Sequence, residues 1–400
     1  MRRLRLPKRE EHPVSFVPYG RQSISDADIE AVVGVLRSDF LTQGPVVERF
    51  EAGIAAAVEA PHCVAVNSAT AALHIACLAL GVGPGDIVWT SPVSFVASSN
   101  CALYCGATVD FVDIDPATLN LSVRKLEEKL IEAQAAGRLP KAVIPVHLCG
   151  LPCDMAAIGA LARRYGFKVI EDASHAIGAR DNGRPVGDCA HSDITVFSFH
   201  PVKIITTGEG GCAVTRDPEL ARRLALVRSH GITRDEALMA EPSHGPWYYE
   251  QVELGYNYRM TEMQAALGLS QLQRLDAFVA DRHRLADRYD AQLADLPLDL
   301  PRRVAESYSG LHLYVVQLRL GEIGATHREV FEALRARGLG VNLHYIPIYL
   351  QPYYRALGFR PGHCPAAEAY YARAISIPLF HGMSEAQQDQ VVAALRHVVR

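Results

Sequence analysis

The sequence predicts an α/β protein: a large domain built on a mostly parallel sheet covered on both sides by helices, followed by a smaller α+β domain. Three observations predict it. From residue 63 onward, short β-branched runs alternate with helical patterns of roughly 10–15 residues, the rhythm of strands buried on both faces. After about residue 260 this rhythm stops, and a helix-rich stretch gives way to an alternating apolar run. The chain has 400 residues, 49% hydrophobic and 21% charged, enough for two or three domains with a large buried core.

In chain order, residues 1–24 read as an N-terminal arm and residues 25–275 as the large domain. Strands are predicted at 63–67, 86–90, 108–113, 142–147, 168–172, 194–199 and 212–215. Helices are predicted at 69–80, 95–105, 123–136 and 154–165, with Ser122 placed to cap the third. Residues 81–85, Gly-Val-Gly-Pro-Gly, form a turn. Residues 261–293 are helix-rich and connect to a smaller domain, 276–400. That domain holds an antiparallel strand at 311–320, a helix at 327–337 and a last helix from Ser384.

The bulk numbers exclude several classes. A net charge of −4 argues against a general nucleic-acid binder. The basic start, Met1 to Arg9, precedes no long apolar segment and reads as a frayed arm rather than a secretory signal. No apolar run approaches the ~20 residues of a membrane span. The nine cysteines sit mostly in apolar stretches, as thiols do in a reducing cytoplasm, so a cytoplasmic protein is expected. Cys149, Cys153 and His147 lie close in sequence, but further ligands at usable spacing are missing, so no metal site is expected.

One segment carries unusual chemistry: Ser198-Phe-His-Pro-Val-Lys203-Ile-Ile-Thr-Thr-Gly208-Glu-Gly-Gly211. Lys203 stands between two predicted buried strands. A desolvated lysine has a lowered pKa and is a usable amine nucleophile, as a Schiff base to an aldehyde cofactor requires. In open α/β sheets, sites form at the carboxyl ends of strands, and three more segments fall there. Ser68, Ala69 and Thr70 open a helix directly after a strand, which suits a phosphate, although a plain Asn/Ser N-cap looks the same. Asp172 ends a strand; it can hold the proton of a pyridine nitrogen or simply cap the next turn. Phe95 follows a strand and can stack on a flat ring or belong to the core. Ser198 can add a hydrogen bond to a phosphate. Together these parts match what pyridoxal 5'-phosphate needs: a phosphate cradle, a ring stack, a pyridinium partner and an imine-forming amine.

From about Tyr19 to the C-terminus the residues resemble the DegT/DnrJ/EryC1/StrS family of sugar aminotransferases. The motifs are Phe40-Leu-Thr-Gln-Gly-Pro45, Asn67-Ser-Ala-Thr70, Glu171-Asp-Ala-Ser-His-Ala-Ile-Gly178, Ser198-Phe-His200 with Lys203, Gly208-Glu-Gly-Gly211 and Leu254-Gly-Tyr-Asn-Tyr-Arg-Met260. Tyr19-Gly-Arg-Gln-Ser-Ile24, Ser38-Asp-Phe-Leu-Thr-Gln43 and His344-Tyr-Ile-Pro-Ile-Tyr349 are most similar to the branch that aminates a UDP-linked 4-keto-6-deoxy-N-acetylhexose for pseudaminic acid.

The resemblance implies a type I pyridoxal-phosphate fold with a mostly parallel seven-stranded sheet. It implies that Lys203 forms the Schiff base, that Asp172 pairs with the pyridine nitrogen, that His175 lies on the ring-hydroxyl side and that Phe95 stacks on the ring. Ser68, Ala69, Thr70 and Ser198 hold the phosphate, and Asn257 reaches the cofactor of a neighbouring subunit in a homodimer with shared sites. Tyr19, Asp39, Phe40, Leu41, Thr42, His344, Tyr345, Ile346 and Pro347 line the sugar-nucleotide site. Glutamate is the implied donor, with pyridoxamine 5'-phosphate as the intermediate form. Three rivals differ: a sugar dehydratase carries histidine where Lys203 stands, a regulatory protein keeps the fold without chemistry, and an amino-acid aminotransferase needs an arginine such as Arg319 or Arg373 for the substrate carboxylate. The 234–249 segment has no assigned role.

Overall fold

The computed structural model describes residues 16–399. The basic stretch before residue 16 lies outside them. The expected frayed start, Met1 to Arg9, falls there; the described part of the arm is docked, with Val17–Pro18 paired in parallel with Leu339–Gly340 and the Leu379 N–H donating to the Tyr19 carbonyl at 3.1 Å.

Seven strands form the central sheet: β1 (His62–Val66), β2 (Ile87–Thr90), β3 (Thr108–Phe111), β4 (Ala142–Ile144), β5 (Lys168–Asp172), β6 (Ile194–Ser198) and β7 (Gly211–Thr215). Their spatial order is β1-β7-β6-β5-β4-β2-β3. Every neighbouring pair is parallel except those of β7, which is antiparallel to both β1 and β6. The cause is local. The 199–210 connection carries Lys203 and contains no helix, so the chain turns straight back at Gly208 (φ +82°), where a glycine suits the left-handed backbone.

Successive strand residues face opposite sides, and both sides are covered. Val88, Ile170, Val196 and Ala213 pack against α1 (Ala69–Ala79) and α2 (Ala97–Tyr104). Trp89, Val143 and Val169 pack against α3 (Val123–Ala135) and α4 (Met155–Tyr165). Phe197, Cys212 and Val214 meet α5 (Glu262–Leu272) and α6 (Leu275–Leu293). This two-sided burial explains why the strands read as continuous apolar runs. The predicted cap is present, Ser122 Oγ accepting from the Lys125 N–H; Asp154, expected as the first helical residue, instead caps α4 and accepts from the Ala157 N–H. The helix expected at 95–105 begins at Ala97, which leaves Phe95 in the loop before it.

The C-terminal region carries an antiparallel sheet, β8 (Leu298–Asp299), β9 (Tyr314–Leu318) and β10 (Ala374–Ile377), with β9 central. The alternation of β9 is not apolar-in, polar-out. Tyr314, Val316 and Leu318 enter the C-terminal core with α7 (His327–Ala336) and α8 (Glu385–Val399), while Val315 joins the core of the large sheet. This strand thus joins two cores. No helix among the described residues is long and apolar enough to cross a membrane.

Asp28 ties the N-terminal helix at Asp26–Leu36 to α5. Its carboxylate is fully buried and accepts from the Ser25 N–H (2.8 Å), Ser270 Oγ (2.6 Å) and Gln271 Nε2 (2.7 Å), with Arg274 alongside. Burial alone would raise its pKa, but the donors from Ser270, Ser25 and Gln271 outweigh it and hold the pKa below the usual value. Asp28→Ala strands these donors and the guanidinium and should cost about 3–5 kcal/mol, read as a lower denaturant midpoint with an unchanged slope.

Candidate active site

At the carboxyl ends of β1, β2, β5 and β6 lies a cavity of about 560 Å³, lined also by His312 and residues 342–345 of the C-terminal region. Lys203, Asp172, His175, Phe95, Ser198, Ser68, Ala69, Thr70, Tyr19, His344 and Tyr345 all border it. These residues come from six segments that are far apart in sequence.

The phosphate-like end is built by β1 and α1. Ser68 is the N-cap of α1, and its Oγ accepts from the Ala71 N–H at 3.1 Å. The Ala69 and Thr70 N–H groups belong to the first turn and have no intrahelical acceptor, so they and the helix dipole are available to an anion. Across from them is Gly211. A Cβ there would lie 2.5 Å from the Ala69 nitrogen and 2.6 Å from its Cα, so only glycine lets β7 approach this turn. Ser198, at the end of β6, is buried and adds its hydroxyl.

The middle of the cavity holds Asp172, at the end of β5 and 4% exposed. Its Oδ2 accepts from Ser98 Oγ at 2.6 Å, and its Oδ1 from the Ser174 N–H at 3.1 Å. Two neutral donors are a thin set for a buried carboxylate, which favours a cationic partner in the cavity. Phe95, 59% exposed, projects at the mouth with its ring 6.4 Å from that of Tyr345. An exposed phenyl at a cavity mouth is placed to cover a flat ring.

Lys203 faces Asp172. It borders the cavity and keeps some accessible surface, yet protein crowds the amine elsewhere. Burial pulls its pKa from 10.5 to about 8, and Asp172 opposes that shift. Three imidazoles stand nearby. Burial, then the positive charge of Lys203, pushes His175 and His312 well below the usual histidine range, and the same causes bring His344 to about 4. All three are neutral at pH 7. His175 Nδ1 accepts from the Cys149 N–H (3.3 Å), so its Nε2–H donates to the Tyr345 hydroxyl at 3.2 Å. The rings of His175 and His312 lie 4.4 Å apart. His344 Nδ1 bonds to Ser376 Oγ at 2.7 Å.

The lysine makes folding pH-dependent. Its folded-state pKa lies below that of an exposed lysine, so the unfolded chain binds more protons between about pH 8 and 10.5. The penalty for burying it is full below about pH 8 and lifts as pH rises through that window. Cofactor-free Lys203→Met should therefore exceed the wild type in stability at neutral pH and lose that advantage by pH 10.5. Denaturant titrations across the range measure the difference.

Other expected residues lie outside this cavity within one chain. Phe40 and Leu41 are 53% and 46% exposed, the Leu41 carbonyl accepts from the Glu262 N–H, and Thr42 bridges to Thr261. Asp39 is exposed beside them. Asn257 is exposed near β1, and its carbonyl accepts from Asn67 Nδ2 at 3.4 Å. Ile346 and Pro347 follow the lining residues without joining them. Both arginines considered for a substrate carboxylate bind Asp299, Arg319 at 2.8 Å and Arg373 at 3.3 Å, and no arginine lines the cavity among the described residues. Both nitrogens of His147 are engaged, by Glu171 Oε2 (2.9 Å) and by the Cys153 N–H (3.0 Å). Among the described residues no cluster of three or more His, Cys, Asp or Glu is set to hold a metal.

Sequence reasoning missed Ser94, Ser98, His200, Glu209, His312 and Asn342, all of which border the cavity. The serines stand four residues apart around Phe95, and His200 and Glu209 lie within the motifs flanking Lys203, but none has a role assigned from the sequence; His312 and Asn342 left no local trace.

Comparison with known proteins gives a consistent result. The model of the DegT/DnrJ/EryC1/StrS aminotransferase family matches residues 22–396. The spore coat polysaccharide biosynthesis protein SpsC of Bacillus subtilis is 40% identical over 388 residues, covering 96% of this chain and 97% of its own. Helicobacter pylori PseC, an aminotransferase of pseudaminic acid biosynthesis, superposes with a TM-score of 0.88 at 28% identity, over 96% of this chain and 99% of its own. Spr1654 of Streptococcus pneumoniae, solved in a PMP form, superposes at 0.87 with 30% identity over 96% and 99%.

Proposed function

The chain belongs to the DegT/DnrJ/EryC1/StrS aminotransferase family, and from that premise we propose that it transfers an amino group from glutamate to the C4 ketone of a UDP-linked 4-keto-6-deoxy-N-acetylhexose. The product is a UDP-4-amino-4,6-dideoxy sugar for pseudaminic acid, a nonulosonic acid, or another surface glycan. At the coarser level the protein is a pyridoxal 5'-phosphate-dependent sugar aminotransferase with the type I fold. The likeness to PseC over nearly the whole chain supports the substrate reading. The observation that carries the reaction type is the convergence of Lys203, Asp172 and the α1 N-terminus on one cavity.

The residues present fit the cofactor. When bound, it supplies a carbonyl that takes up an amino group and an aromatic system that draws electrons from the adjacent carbon. The Ala69 and Thr70 N–H groups, with the Ser68 and Ser198 hydroxyls, would hold its phosphate. Asp172 would keep its ring nitrogen protonated, with His175 toward its ring hydroxyl and Phe95 stacked on the ring. Lys203 would anchor it through the side-chain amine. Near its pKa of about 8, that amine is poised both to accept and to deliver a proton. Lys203 Nζ takes the proton from the α-carbon of glutamate in the first half-reaction and returns one to the sugar C4 in the second. Among the described residues of the cavity lining Lys203 is the only lysine or arginine, and neutral His175, His312 and His344 do not compete with it for Asp172.

Tyr19, His344 and Tyr345 receive the sugar nucleotide in this reading. A cytoplasmic homodimer completes the site, with Asn257 and the Asp39–Thr42 segment reaching the partner's cavity. The exposure of Phe40, Leu41 and Asn257 supports that arrangement.

A panel of UDP- and dTDP-linked 4-keto sugars, each incubated with glutamate and assayed for 2-oxoglutarate, tests the proposal. Turnover should be highest on the UDP 4-keto-6-deoxy-N-acetylhexose. Preference for a dTDP sugar would move the substrate claim to that nucleotide, and no turnover on any 4-keto sugar would sink it.

A further inference from the structure

Beside Asp172 stands a chain of two buried hydroxyls, those of Ser98 and Ser94. Ser98 Oγ lies 2.6 Å from Asp172 Oδ2, and Ser94 Oγ lies 2.6 Å from Ser98 Oγ. All three residues are buried, at 1%, 4% and 5% exposure for Ser98, Asp172 and Ser94. The direction of the chain follows from what each group can donate. An ionised carboxylate only accepts, so the single Ser98 proton goes to Asp172 rather than to the Phe95 carbonyl at 3.3 Å. Ser98 oxygen then accepts, and Ser94 supplies the proton. The relay therefore runs Ser94 to Ser98 to Asp172, each bond polarising the next.

The relay sits on a braced segment. Ser94 and Ser98 flank Phe95, and Ser98 lies in the first turn of α2. From the C-terminal region, the Ile348 N–H donates to the Pro92 carbonyl at 2.8 Å, and the Tyr354 hydroxyl bonds with Ser99 Oγ and Asn100 Oδ1, each at 2.5 Å. One braced stretch thus presents both the exposed phenyl and the donor that turns the carboxylate. With Oδ1 held by the Ser174 N–H, the Asp172 carboxylate is fixed on two sides and open only toward the cavity.

We infer that Ser98, with Ser94 behind it, is a positioning residue that aims the Asp172 carboxylate at the ring nitrogen of the cofactor and sets its angle to the Phe95 face. The inference rests on the cofactor reading above and deepens it.

The test uses full-length protein, pyridoxal 5'-phosphate as the probe, and three variants: Ser98→Ala, Ser98→Thr and Ser94→Ala. The readouts are the dissociation constant for the cofactor, the visible circular dichroism per bound cofactor, which reports a fixed ring orientation, and thermal melting of the cofactor-free proteins. A hydrogen bond to a charged group is the stronger kind, so Ser98→Ala should weaken binding about tenfold or more and diminish the visible signal. Ser94→Ala, one neutral bond further away, should weaken it about threefold. Ser98→Thr keeps the hydroxyl and should recover most of the signal. Wild-type affinity and signal in Ser98→Ala would overturn the inference, as would equal losses in Ser98→Ala and Ser98→Thr, which would mark a packing effect. A wild type that takes up no cofactor would overturn the reading beneath it, a result separate from either.

Discussion

Lys203→Ala is expected to lower amino transfer by about 10⁴-fold, because one side chain supplies both the covalent anchor and the proton carrier of both half-reactions. The geometry makes a substitute hard to find. Among the described residues lining the cavity, no other lysine is present, and the neighbouring His175, His312 and His344 have their pKa values pushed down by burial and by Lys203 itself. In the variant the charge of Lys203 disappears, but burial still disfavours protonated imidazoles, so none becomes an equivalent acid. Release of 2-oxoglutarate from glutamate measures the loss. Borohydride should fix the cofactor to wild-type protein at Lys203 and leave the variant unlabelled. Added alkylamine should restore part of the proton-transfer rate, a recovery that a merely misfolded variant would not show. Turnover of keto sugar with glutamate by Lys203→Ala at anything near the wild-type rate would contradict the mechanism.

The second large effect is expected at Asp172. Asp172→Asn keeps the size of the side chain, and its amide oxygen can still accept from Ser98. It removes the negative charge that holds a proton on the ring nitrogen. Loss of a preorganised charge in a site shielded from water should lower the rate of the first half-reaction by about 10²–10³-fold. Binding should suffer less, because the phosphate cradle at Ser68 to Thr70 is untouched. Single-turnover kinetics with glutamate separate the two, and a variant within a few-fold of the wild type would show that Asp172 serves only to cap its turn.

The parts of this site that were legible in the sequence share one property: short-range grammar defines them. Ser68 to Thr70 follow a strand and open a helix, Asp172 ends a strand, and Lys203 stands between two apolar runs. Their positions along the chain already place them at the carboxyl edge of a parallel sheet. His312 and Asn342 had no such signal. Their arrival at the cavity depends on how the C-terminal region packs, through contacts such as the His312 N–H on the Cys149 carbonyl at 2.9 Å and the pairing of Asn342 with Ser376. No local pattern encodes contacts between segments that are not neighbours in sequence. His344 and Tyr345 were reached only through resemblance, for the same reason.

Periodicity misled in one place and was blunt in another. The β9 segment alternates, and alternation is normally read as one buried and one wet face, yet Tyr314 to Leu318 are buried throughout because each face meets a different core. At Phe95 the apolar pattern extended the helix two residues too far toward the N-terminus, and the ring that fits a cofactor-stacking role sits in the loop. The remaining residues, Asp39 to Thr42 and Asn257, are exposed in a single chain, where neither pattern nor packing within that chain gives them a partner in the cavity.

The most direct measurement follows the nitrogen itself. Glutamate carrying isotopically labelled nitrogen is mixed with the enzyme, pyridoxal 5'-phosphate and the UDP-linked 4-keto-6-deoxy-N-acetylhexose, and the sugar product is read by nuclear magnetic resonance and mass spectrometry. The account predicts the label bonded to the sugar C4, with one 2-oxoglutarate released for each amino sugar formed. A cofactor-loaded enzyme that yields no labelled sugar from this substrate would contradict it.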